Sequence, residues 1–124
     1  MTTTINRAEI AATLNTLTYF LYIAIKHNIE DFKLDGSFLI SDFFKRNEIK
    51  SGDSEYNLFH SSYITEVVSA TQKRLLSNGY KCEIVVEKNR ILYFTRIVNR
   101  QNWMRCFVVM LMCMAAAVLS YLSV

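Results

Sequence analysis

Proline is absent from this 124-residue chain, and glycine is rare. The three glycines, Gly36, Gly52 and Gly79, each fall where a turn is expected, so the chain has no glycine-rich loop of the kind that cradles a phosphate. Internal repeats and low-complexity segments are also missing. A disordered tail is excluded because 52% of the residues are hydrophobic. We therefore expect one small domain of about 100 residues, followed by an apolar segment.

Cysteine and histidine are too few and too scattered for a disulfide framework or a metal site. The three cysteines, Cys82, Cys106 and Cys113, are odd in number and lack metal-ligand spacing. His60 stands beside two serines, but adjacency in sequence does not give the geometry of a catalytic triad. The acidic residues between positions 30 and 42 have no third fixed ligand beside them. We predict a non-enzymatic protein that uses no cofactor or metal, in a reducing compartment.

Charge is missing from residues 106–124, the last nineteen of the chain. A helix of that length rises about 28 Å, which is close to the hydrocarbon thickness of a bilayer. We therefore predict a small domain over residues 1–102 and a transmembrane anchor over residues 103–124. The N-terminus lacks the basic start and apolar run of a signal peptide, so targeting is expected to come from the anchor, as in a tail-anchored protein.

The charges and aromatic rings around the span predict its orientation. Four arginines precede the span and no charged residue follows it: Arg90, Arg96, Arg100 and Arg105. The positive-inside rule then places the N-terminal domain in the cytoplasm, as part of a single-pass membrane protein. Trp103 and Tyr121 stand near the two ends of the span, where we expect them to anchor it at the membrane interfaces.

Hydrophobic periodicity predicts an α+β domain with two main helices and a C-terminal β-hairpin. A capping-box-like start at Asn6 and Glu9 opens the first helix, which is expected to end near residues 27–28. Helical spacing resumes near residue 61 and stops at residues 78–79. Two strand-like runs then follow, at residues 80–86 and 91–98.

The stretch between the two main helices is less regular. Asp35 and Gly36 form a dipeptide that suits a tight hairpin turn, with short strands on either side. Ser41 is expected to cap a short helix over residues 42–47. Residues 50–55 read as a surface loop.

The basic residues of the second half leave three interpretations open. In the first, they bind anionic lipid headgroups, and the candidate contacts are Lys88, Arg90, Arg96, Arg100 and Arg105. In the second, the element order is that of a winged helix-turn-helix domain, with residues 62–78 as recognition helix and residues 88–90 as wing tip. Glu66 in that helix and the membrane anchor both count against nucleic acid as the partner. In the third, the charges only keep the domain soluble.

Small side chains in the span predict a face through which helices can approach each other. Ala116 and Ser120 form a small-xxx-small pair, and Cys113 and Ala117 share a stripe beside it. This face is a candidate for homo-oligomerisation. The lipid bilayer and a membrane or host protein are the other expected partners.

In residues 75–86, a predicted helix ends at Asn78 and Gly79 and is followed directly by the first strand of a hairpin. Residues 90–94 begin the second strand. This pattern resembles one found in small accessory proteins of large tailed phages. The resemblance implies a phage-encoded protein in the host inner membrane and no catalytic residue. The sequence as a whole predicts a membrane-anchored binding or interference module of unknown target. The alternative is a membrane-tethered winged-helix protein that binds nucleic acid.

Overall fold

A computed structural model describes residues 7–98 and 111–114 of the chain. Residues 7–98 contain four helices and three strands, in the order α1 (Arg7–Glu30), β1 (Asp35–Leu39), α2 (Ile40–Arg46), α3 (Ser54–Phe59), α4 (Ile64–Ser77), β2 (Tyr80–Val86) and β3 (Arg90–Ile97). The strands form one antiparallel sheet in the order β1-β3-β2. The predicted α+β class, the two long helices and the C-terminal hairpin are confirmed.

Helix α1 forms the centre of the core. Its residues Leu17, Leu21 and Ile25 recur every four positions and are completely buried, because this spacing places them on one face. The helix contacts α3 and α4. Among the described residues, α1 is the one helix long and apolar enough to cross a membrane, judged by length and composition alone. Burial of this face inside the domain is the structural role observed for it.

The predicted anchor lies almost wholly outside the described part of the chain. Only residues 111–114 of the span are described, and they are helical. The structure therefore does not show a C-terminal transmembrane helix, and that element stays a prediction.

The prediction of a hairpin turn at Asp35 and Gly36 was wrong. Both residues lie within β1, where they pair with Phe94 and Tyr93 of β3. Glycine is required at position 36 for packing, because an added Cβ would stand 2.7 Å from the hydroxyl oxygen of Tyr93. A tight turn and a close approach of a ring to the backbone both favour glycine, and the local sequence does not distinguish them.

The short helices also differ from the prediction. Helix α2 begins at Ile40, with Leu39 at the N-cap and no side-chain cap, so Ser41 lies inside the helix. Helix α3 begins within the segment expected to be a loop. Its aromatic residues explain the difference: Phe59 stacks edge-on against Phe44 of α2, with ring centres 5.0 Å apart. Tertiary packing here overrides the polar turn signal.

One face of the sheet closes the core, and the other faces outward. Alternate residues of β2 and β3 are buried, including Cys82, Ile84, Ile91 and Tyr93. Their neighbours in sequence point to the opposite face, as the two-residue period of a strand requires. Gln72 of α4 accepts a hydrogen bond from the Ile84 N–H at 3.1 Å. This contact ties α4 to β2, an outer strand of the sheet.

Changing Gly36 to alanine should lower the free energy of unfolding by about 1–3 kcal/mol, as overpacking does. The Tyr93 ring is 1% exposed, and its hydroxyl donates a hydrogen bond to the Lys33 carbonyl at 3.1 Å, so it has little freedom to move aside. Urea denaturation followed by circular dichroism measures the loss.

Tyr93→Phe provides the control for this prediction, because it removes the atom nearest to the new Cβ. Alone it should cost about 1 kcal/mol through the lost hydrogen bond. The Gly36→Ala/Tyr93→Phe double variant should lose less stability than the sum of the two single losses. Fully additive losses would contradict the close packing of these two residues.

Candidate functional site

The antiparallel sheet gives the domain two distinct ends. The start of β2 lies beside the end of β3, where the Val98 N–H donates to the Gly79 carbonyl at 2.8 Å. The chain leaves the domain here, and we call this the exit end. At the hairpin end, the Ile40 N–H donates to the Asn89 carbonyl at 2.9 Å. The eight residues of β3 separate the two ends by about 23 Å.

A groove of about 460 Å³ opens at the hairpin end, between the connection of β2 to β3 and helices α2 and α3. We call it the hairpin groove. Its lining includes Leu39, Phe44, Tyr56, His60, Lys88 and Asn89. The imidazole of His60 lies edge-on against Tyr56 and Phe44, with ring centres 4.6 and 5.8 Å apart. Because the aromatic rings brace one another, the groove has a preformed apolar wall.

The edge of the hairpin groove is polar and carries a positive charge. Lys88 is exposed and has no ion-pair partner within residues 7–98. An apolar wall with one free cation beside it can hold a partner's apolar side chain and pair with a neighbouring carboxylate. The arrangement is suited to binding a protein segment.

The predicted lipid-contact residues do not lie together. Lys88 and Arg90 are at the hairpin end, where the Arg90 guanidinium donates to the Ser37 hydroxyl at 3.0 Å. Arg96 is at the exit end, directly opposite Lys81. The remaining predicted residues lie outside the described part of the chain, apart from the exposed Cys113: Arg100, Trp103, Arg105, Ala116, Ala117, Ser120 and Tyr121.

Helix α4 presents mostly small side chains and one charge of each sign, where a recognition helix would need several donors for base edges. Its open face includes Glu66, Ser69, Ala70 and Lys73. The Arg74 guanidinium lies 4.6 Å from the ring centre of Tyr22 and 5.4 Å from that of Tyr19, so α1 holds it in a cation–π contact. Residues 7–98 carry twelve basic and eleven acidic side chains, a net charge of only +1.

The remaining titratable groups of note are buried in the core. Burial raises the pKa of the Cys82 thiol, and the hydrogen bond from the Thr95 hydroxyl at 3.4 Å opposes this only in part. Burial likewise raises the pKa of Tyr93. Both groups therefore stay protonated and behave as packing residues rather than nucleophiles. Over residues 7–98 and 111–114, no three His, Cys, Asp or Glu side chains are grouped as metal ligands.

The hairpin groove depends on α3, a helix that was not predicted from the sequence. Tyr56, Phe59 and His60 do recur at helical spacing, which is the signal that could have predicted the helix. The pairing of that helix with α2 depends on contacts between residues distant in sequence. No protein-family model, curated protein or solved structure matches the chain.

Proposed function

We propose that the protein is a membrane-anchored, non-enzymatic binding module that holds a segment of a partner protein in the hairpin groove. The observation that carries the proposal is the preformed aromatic wall of this groove beside the unpaired Lys88. The groove opens at the end of the domain opposite the exit of the chain. A partner could therefore reach it while the anchor remains in the bilayer.

The anchor is supported by the sequence and by the few residues described within it. Residues 106–124 contain no charge, and residues 111–114 are helical with exposed side chains. Leu111, Met112 and Met114 are large apolar residues that are more than half exposed. Lipid is the environment in which such a surface is stable. The arginines before the span support a cytoplasmic domain, at the host inner membrane if the chain is phage-encoded.

The chemistry of the groove narrows the kind of partner. Leu39, Phe44 and Tyr56 favour an apolar or aromatic side chain. Lys88 favours an acidic residue beside it, since an exposed lysine gains mainly from a carboxylate within a few ångströms. The proposed ligand is thus a protein segment in which an apolar residue stands next to an acidic one.

The full-length protein should stay in the membrane fraction after washing with high salt or alkaline carbonate. Apolar burial of the span does not depend on screened charge. Met114→Arg should impair integration, because an arginine near the centre of a span costs about 2.5–3.5 kcal/mol. Met114→Leu is the matched control and should behave like the original protein. Release of the original protein by salt alone would contradict the anchor.

A photo-crosslinking residue at position 88 should give a discrete adduct with one membrane or cytoplasmic protein. The same residue at position 50, which is also an exposed lysine but lies in the loop before α3, should not give it. Leu39→Asp should abolish the adduct at position 88, because it places a like charge against the acidic ligand. Identical adducts at positions 50 and 88, or an adduct that Leu39→Asp leaves intact, would contradict binding in the hairpin groove.

A second candidate function is nucleic-acid binding, and the topology favours it. The order of the elements and the strand order β1-β3-β2 follow the pattern of a winged helix-turn-helix domain, with α3 and α4 as the two helices and β2-β3 as the wing. The near-neutral domain and the engaged Arg74 count against it. This candidate predicts salt-dependent retention on duplex DNA that Lys73→Gln weakens. The binding module predicts no such retention.

A further inference from the structure

Five large apolar side chains are exposed around the exit end of the domain. We call them the exit rim: Phe32, Leu34, Leu76, Ile97 and Val98, which are 94, 36, 54, 63 and 39% exposed. They belong to three different segments of the chain: the connection from α1 to β1, the end of α4 and the end of β3. The topology brings them together, because the ends of α1, α4 and β3 and the starts of β1 and β2 meet there.

Phe32 is the most unusual residue of the rim. It follows α1 in the left-handed region, with φ of 65°, a position that normally favours glycine. Backbone hydrogen bonds hold it there: the Phe32 N–H donates to Ile29 at 3.0 Å, and the Lys33 N–H donates to Asn28 at 2.9 Å. An aromatic residue is thus kept in a strained backbone conformation while its ring is almost fully exposed.

Two like charges stand next to the rim. Lys81 and Arg96 are direct cross-strand partners on the outward face of the sheet, where they line a shallow hollow together with Asp35 and Glu83. Neither side chain has an ion-pair partner within residues 7–98. Both side chains are exposed, so anionic headgroups can reach them.

The chain itself brings this end of the domain to the bilayer. Only seven residues, 99–105, separate Val98 from the uncharged run, and they span at most about 25 Å when extended. Aromatic and basic side chains together are the composition that settles at a membrane interface. The exit rim and its two charges have that composition.

We infer that the exit rim inserts into the interface of the bilayer, with the ring of Phe32 among the lipid chains and Lys81 and Arg96 at anionic headgroups. The inference rests on the proposed anchor and adds a fixed orientation to it. In this orientation the exit end of the domain contacts the bilayer. The hairpin groove then faces away from the membrane, at a height set by the length of β3.

Quenching of tryptophan by brominated lipid tests the inference in the full-length chain. Trp103→Phe removes the one native tryptophan, and Phe32→Trp or Leu76→Trp then places a single reporter on the rim. The Leu76 position lies in regular helix, so it serves even if a tryptophan at position 32 disturbs folding. Leu39→Trp, at the hairpin end and 37% exposed, is the matched control. Only protein that floats with vesicles of phosphatidylcholine and phosphatidylglycerol is measured.

Quenching at positions 32 and 76 should be roughly two-fold or more that at position 39, since the interface is where tryptophan settles. Phe32→Gly should leave the urea midpoint unchanged or raised, because glycine suits this φ, yet it should lower quenching at position 76. Replacing Lys81 and Arg96 with glutamine should also lower quenching at position 76.

Three results would overturn the inference. Equal quenching at positions 32, 76 and 39 in floated protein would leave the anchor intact and show that the rim does not insert. An unquenched but blue-shifted emission at position 32 would show that protein covers the rim, either a second copy or residues 99–124. Failure of the protein to float with the vesicles would contradict both the proposed anchor and this inference.

Discussion

The contact between Tyr93 and Gly36 is the constraint on which the rest of the structure depends. The missing side chain at position 36 lets the buried ring lie against the neighbouring strand, and the ring's hydroxyl reaches the segment that joins α1 to β1. This contact fixes the register of β1 on β3. Because β3 also pairs with β2, the same strand sets which residues meet at each end of the domain.

The two ends of the domain differ in chemistry, which suggests that they bind different partners. The exit end has exposed apolar residues and two exposed basic side chains on neighbouring strands. The hairpin end has an aromatic groove with one free lysine at its edge. In the arrangement we propose, the exit end lies at the membrane and the hairpin groove holds the partner, and the sheet separates these two surfaces by about 23 Å. The strained backbone at Phe32 is consistent with selection for surface function rather than for stability.

The sequence predicted elements whose evidence is local. The periodicity of α4, its stop at Asn78 and Gly79, and the alternation of β2 all lie within short windows. The predictions from sequence were wrong where contacts between residues distant in the chain determine the local structure. Asp35 and Gly36 suit a turn, but Tyr93, nearly sixty residues away, makes them part of a strand. The basic residues at positions 88, 90 and 96 are close in sequence, yet the hairpin carries them to opposite ends, because a strand extends about 3.3 Å per residue.

The orientation of the domain on the bilayer tests the central claim most directly. Energy transfer from a fluorescent residue at position 33 or position 88 to an acceptor in the lipid headgroups measures the height of each end. We predict that position 33 lies at the headgroups and that position 88 lies about 20 Å further from the membrane. Equal heights, or position 88 nearer to the lipid, would contradict it.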